Sequence, residues 1–378
     1  MRKKGRDKGP LIISKNLEET PASFFDSLVL LSPRQIDEKL TEYGYCGQAA
    51  ARKSLCLCAY RHMKRLYAIH VKGISREMLP PRSNAILMGP TGCGKSYVIE
   101  LLFGKILNLP YVIVEMTRFT ETGYVGEDAL MILNRLVESA RGNLEMAETG
   151  VIALDEFDKI ASQSSNLIFG GGSTKDVSGY GVQRELLKML EGADVDIMED
   201  LGYLPYHGAH TTISTRDITF IGLGAFSGFN MRDAVIGSVG FVPHMQGPNG
   251  CELESGKAFE ISDFQRYGFI PELIGRFERV IPFAALDAQT LSEILRDKLK
   301  RHILEFEEEG FELQVDDSVC SLFVEEAIRK ETGARGLEAA IAKYIEDLRF
   351  EYFGQQKSGT VQLKMHRGEL KAEVKLCA

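Results

Sequence analysis

The sequence predicts an α/β fold, a mainly parallel sheet covered on both faces by helices and followed by a smaller, mainly helical domain. Three observations carry this reading. Short apolar runs at 85–88, 111–116, 151–154, 218–223 and 279–283 alternate with helical patterns, as strands buried on both faces do. A glycine-rich stretch, Gly89, Pro90, Thr91, Gly92, Cys93, Gly94, Lys95 and Ser96, stands between the first of those runs and a helix. Beyond Pro282 the strand pattern gives way to helices.

Taken in order, residues 1–31 read as a flexible tail, basic and then mixed, interrupted by Gly9-Pro10 and Pro21. A capped short helix opens at Ser32-Pro33, and after Tyr45-Cys46-Gly47-Gln48 a long helix is expected over about Ala49–Ile69. This prelude lies just ahead of the first strand, where it could cover an adenine. The spacing of apolar residues predicts a helix over Ser96–Leu107. Two segments rich in Gly, Ser and polar residues, Ser162–Gly181 and Ala225 to about Phe259, have the length of functional loops. With a boundary near Ala284, a large domain spans 32–284 and a small one 285–378. In the latter, helices are expected at about 287–309, 316–330 and 334–353. A hairpin of 361–365 and 371–376 around His366-Arg367-Gly368 closes the chain.

Composition narrows the function. An apolar fraction of 44% over 378 residues can fill more than one core. No run has the length of a membrane span, and Met1-Arg-Lys-Lys-Gly lacks the apolar core of a signal peptide, so a soluble, cytoplasmic protein with no membrane partner is expected. A formal charge of -8 argues against a broad nucleic-acid surface. The seven cysteines form no C-x-x-C and no zinc spacing, and read as reduced, mostly buried thiols.

Gly89–Ser96 fits G-x-x-x-x-G-K-[ST], in which backbone N–H groups cradle phosphates. Lys95 reaches the β- and γ-phosphates, and Ser96 offers a hydroxyl to Mg²⁺. The apolar run Val151–Leu154 ends in two carboxylates. Asp155 is suited to hold Mg²⁺ or its waters, and Glu156 to polarise a water against the γ-phosphate. The expected cofactors are ATP and Mg²⁺. A small-metabolite kinase would use the same cradle, yet it leaves the downstream motifs unexplained.

Those motifs are Gly123-Tyr124-Val125-Gly126, Leu154–Ile160, Asp176–Gly179 with Gly181-Val182-Gln183, Ile270–Arg276 and Thr332–Leu337. In this order they resemble the ClpX family, AAA+ protein unfoldases that feed the ClpP peptidase. The resemblance covers about residues 30–353. It implies an AAA+ large domain with parallel strand order 5-1-4-3-2 and a homohexameric ring. It further implies ATP hydrolysis coupled to unfolding of tagged or unfolded proteins, with a ClpP-type peptidase as partner. By resemblance Arg276 is the arginine finger that reaches a neighbour's γ-phosphate, and Arg335 is sensor 2. Tyr124 and Val125 belong to the substrate-gripping pore loop, 162–181 is similar to a second pore loop, and Val239, Gly240 and Phe241 resemble the peptidase-docking tripeptide.

The sequence departs from the family in five places. No amino-terminal zinc-binding module is expected, since the residues ahead of 32 carry no zinc-ligand spacing. Tyr206-His207-Gly208-Ala209-His210 replaces the Arg-Lys-His pore-entrance loop, Tyr180 stands where glutamate is usual, and 221–224 offers no polar sensor 1 side chain. Cys93 replaces a common serine, and a thiol so near a helix N-terminus could have a lowered pKa; the plainer reading is a small residue that fits. An HslU-type unfoldase needs an insertion for which 125–151 leaves no room. Two alternatives stay open, a remodelling chaperone that works without a peptidase and a AAA+ motor acting on nucleic acid. The latter would be expected to carry a basic module, and none is present in the sequence.

Overall fold

A computed structural model describes residues 20–27, 29–119, 130–161, 177–198, 210–227, 229, 259–355, 357–367 and 369–376. The chain forms two compact units. The first comprises residues up to Leu40, Ala50–Met88 and Ser96–Pro282, and the second Thr41–Ala49, Gly89–Lys95 and Phe283–Ala378.

The first unit is built on a five-stranded sheet of β1 (Ala85–Met88), β2 (Tyr111–Glu115), β3 (Val151–Asp155), β6 (Thr219–Gly224) and β7 (Arg279–Pro282). All its pairings are parallel. The order β2-β3-β6-β1-β7 is the 5-1-4-3-2 order expected, read from the other edge. Every residue of β1 and β6 is buried, which is why neither strand shows a polar-apolar alternation; the one polar side chain, Thr219, is bonded to His62. Helix α3 (Ala49–His70) matches the predicted long helix. The helix after Lys95 differs from expectation: α4 (Lys95–Ile99) passes into a π-helical turn at Glu100–Ile106. That wider winding buries four consecutive residues, Leu101, Leu102, Phe103 and Gly104.

A two-stranded antiparallel hairpin, β4 (Asp194–Met198) with β5 (His210–Ser214), was not foreseen. Its strands contribute Ile197 and Ile213 to the core, too short an alternation to stand out. Helix α7 (Val177–Glu191) begins inside the first expected loop, and Tyr180 lies on it with its ring under the Arg184 guanidinium. Around the second expected loop, Phe229 and Phe259 meet at 5.8 Å and pack with Phe226, Phe264 and Tyr267.

His62 of α3 is a buried strut of this unit. Its Nε2–H donates to the Thr149 carbonyl at 3.1 Å, so Nδ1 must accept from the Thr219 hydroxyl at 2.9 Å. Burial pushes its pKa from 6.5 down to about 4. Between those values the unfolded chain binds a proton that the folded chain refuses, so this stability is full above the ordinary histidine pKa and is lost as pH falls toward 4. The loss should approach roughly 3 kcal/mol. Melting temperature followed from neutral pH down to pH 4 should fall, and His62→Gln should flatten the slope; an unchanged slope would remove His62 as its source. The buried thiols of Cys56 and Cys58 are pushed up to about 12 by the same desolvation.

The second unit has its own core. Helices α10 (Ala288–Glu308), α11 (Asp317–Arg329) and α12 (Gly333–Tyr352) lie close to the predicted spans. Leu291, Leu295 and Leu299 on α10, and Leu337, Ile341 and Ile345 on α12, recur every fourth residue and face the same core. The predicted hairpin is present as β9 (Gly359–His366) and β10 (Glu369–Leu376). An unforeseen strand, β8 (Phe311–Val315), pairs parallel to β9 and buries Phe311 and Leu313.

Candidate active site

The glycine-rich turn after β1 owes its shape to two glycines in the left-handed region, Gly92 at φ +75° and Gly94 at φ +96°. Within the second unit the turn is gripped from two sides. The Tyr45 hydroxyl donates to the Gly94 carbonyl at 3.3 Å, and Ala334 N–H, in the first turn of α12, donates to the Gly92 carbonyl at 3.0 Å. A Cβ on Gly92 would stand 2.2 Å from the Thr332 carbonyl oxygen. Gly92→Ala therefore meets both an unfavourable φ, which alone costs about 1–2 kcal/mol, and a main-chain clash. Nucleotide affinity, read by titration with a fluorescent ADP, should fall at least about tenfold; unchanged affinity would mean that this turn is not the phosphate cradle.

Lys95 is buried, and its ammonium donates to the carbonyls of Gly89 at 2.6 Å and Pro90 at 2.8 Å. Its charge is thus held over the loop on which phosphates would rest. Cys93 Sγ lies 3.8 Å from Lys95 Nζ. Of the two readings the sequence allowed, the acidified thiol is not supported: burial outweighs the nearby ammonium and raises the Cys93 pKa. A buried, protonated thiol is the small residue that fits.

In the first unit, Ser96 Oγ donates to Asp155 Oδ2 at 2.8 Å, and Glu156 N–H donates to Asp155 Oδ1 at 2.9 Å. The Ser96 hydroxyl of α4 and the Asp155 carboxylate at the end of β3 thus place hard oxygens side by side, a donor set that suits Mg²⁺. Glu156 has φ 54° and ψ 35°, a left-handed conformation that a side chain adopts only when its surroundings impose it. Phe157 does so: fully buried, it packs against Phe269 at 5.0 Å and Phe277 at 5.4 Å between ring centroids. The strained turn presents a partly exposed carboxylate beside the Ser96–Asp155 pair.

Arg276 follows α9 (Pro271–Ile274), with its guanidinium on the Glu191 carboxylate at 2.7 Å. Arg335 is exposed on the first turn of α12, next to the residue that bonds Gly92. Tyr124, Val125, Val239, Gly240 and Phe241 lie outside the described residues. Sequence reasoning missed Glu191, and it missed Asp158, which supplies a buried carboxylate where 221–224 lacks a polar group. Asp158 Oδ1 accepts the Ala225 N–H, just past β6, at 3.3 Å. The acidic Leu154–Ile160 motif was its only signal.

Comparison with known proteins agrees with this geometry. The AAA domain (Cdc48 subfamily) profile matches residues 80–280, and the profile of the C-terminal, D2-small domain of ClpB protein matches 286–361. The ATP-dependent Clp protease ATP-binding subunit ClpX of Borrelia duttonii is 34% identical over 346 residues, 89% of this chain and 78% of that protein. The same subunit of Azotobacter vinelandii is 32% identical over 338 residues, covering 85% and 74% respectively. ClpX 3 of Methylococcus capsulatus is 35% identical over 340 residues, covering 84% and 76%. Among the described residues no helix is long and apolar enough to cross a membrane. With the phosphate turn, the acidic strand end and both domain profiles in register along one chain, this protein belongs to the ClpX family of AAA+ ATP-binding subunits.

Proposed function

We propose that the chain is the motor subunit of a homohexameric protein unfoldase that threads polypeptides through its axial pore into a ClpP-type peptidase. The large ATPase domain spans 32–284 and the small domain 285–378. Gly89–Lys95 cradles the phosphates of ATP, with Ser96 and Asp155 holding Mg²⁺, which when bound neutralises charge on the β- and γ-oxygens. Glu156 takes a proton from the attacking water, and its own N–H bond to the Asp155 carboxylate holds its backbone beside the residue that would bind Mg²⁺. Arg276 of one copy completes the site of the next, and Arg335 senses nucleotide bound to its own copy. Tyr124 grips the polypeptide and Val239-Gly240-Phe241 docks on the peptidase.

The observation that carries this reading is the Ser96–Asp155 bond beside a strained Glu156, since the serine, the aspartate and the glutamate are what phosphate hydrolysis requires. Degradation of a folded fluorescent protein carrying an unstructured tag should require ATP and a ClpP-type peptidase together. ATP-dependent unfolding with no gain from the peptidase would favour a free-standing remodelling chaperone.

A further inference from the structure

The segment Arg82-Ser83-Asn84 that enters β1 has no recognisable motif, yet it holds the Arg276 loop. Asn84 is 3% exposed. Its Oδ1 accepts the Phe220 N–H of β6 at 2.9 Å and its Nδ2 donates to the Arg276 carbonyl at 3.0 Å. One partner can only donate and the other only accept, so the orientation of the amide is fixed. The main-chain carbonyl of Asn84 in turn accepts the Glu278 N–H at 2.9 Å. Arg82 donates to the carbonyls of Leu190, Thr215 and Ile218, gripping the end of α7 where Glu191 meets the Arg276 guanidinium. The main chain of Arg276 and the partner of its side chain are thus both anchored to the three residues that precede β1.

We propose that Asn84 is the positioning residue for Arg276, its buried amide setting the place from which the guanidinium is offered to the neighbouring copy. This rests on reading Arg276 as a finger that acts in trans. The Arg276–Glu191 pair is half exposed and weak, and it must be released for the guanidinium to reach a phosphate. Aim therefore has to come from the main chain, and Asn84 is the side chain that holds it there. Phe277, packed on Phe157, steadies the other flank.

Asn84→Asp keeps the acceptor for Phe220 N–H and turns a carboxylate oxygen toward the Arg276 carbonyl. In the full-length protein kcat for ATP should fall about tenfold to a hundredfold, while nucleotide affinity stays within about twofold of wild type. The decisive measurement mixes Asn84→Asp with an equal amount of Glu156→Gln. The second variant has an inactive site and an intact finger, and in a random mixture about half of the Asn84→Asp sites gain a sound finger, so turnover per Asn84→Asp subunit should rise to about half the wild-type value, roughly fivefold to fiftyfold. Damage confined to a subunit's own fold or site would show no such recovery. Arg276→Ala mixed with Glu156→Gln is the control. Recovery there but not with Asn84→Asp overturns the role of Asn84, and recovery in neither overturns the trans reading beneath it. Wild-type kcat in Asn84→Asp also overturns the proposal. If that variant does not assemble, Asn84→Ser removes the donor without burying a charge and is read by the same mixture.

Discussion

Glu156→Gln is expected to bind ATP as tightly as wild type and to hydrolyse it at least about a hundredfold more slowly, the usual cost of losing a general base. Glutamine fills the same space and tolerates the same left-handed backbone no worse than glutamate, so the turn, its N–H bond to Asp155 and the packing of Phe157 should survive. What disappears is a carboxylate able to take a proton from water. Steady-state ATPase together with nucleotide retained after rapid filtration separates the two effects. Wild-type turnover would remove Glu156 from the chemistry, and lost binding would mean that the substitution had disturbed the fold.

Arg276→Ala should cut turnover by about a thousandfold, the lower end of what a guanidinium on a transferring phosphoryl group contributes. Stability should barely change. Among the described residues the side-chain bond it loses is to Glu191, and with the two groups 47% and 48% exposed, that pair contributes under about 1 kcal/mol. The main-chain bond to Asn84 is kept whatever side chain stands at 276. A melting curve close to wild type beside a collapsed ATPase is the expected pair of results. Full ATPase in this variant would leave a completed site within each single copy and no need for a ring.

The parts of this molecule that sequence made legible are those whose chemistry is local. A buried parallel strand needs a short apolar run, the turn after β1 needs its glycines in fixed order, and the Asp155 carboxylate stands where β3 ends. Sheet order came from resemblance to a family, since no run of residues states which strand it will lie beside. What stayed hidden depends on partners far along the chain. Asn84 meets Arg276 192 positions away, and Glu191 meets it across 85. The β8 strand earns its place only once β9 has returned beside it, and the π turn only once four successive residues are covered. At Cys93 the sequence left a reactive thiol beside the plainer reading of a small residue that fits, and burial, which pushes the thiol pKa up, favours the plainer one.

The left-handed backbone at Glu156 has a consequence for anyone who would toughen this enzyme. Glycine or asparagine would sit there more comfortably than glutamate. On the role proposed for Glu156, a screen that scored heat tolerance alone would be drawn to this position and return sturdy variants without ATPase activity. Natural lineages that no longer needed to burn ATP would be free to drift the same way.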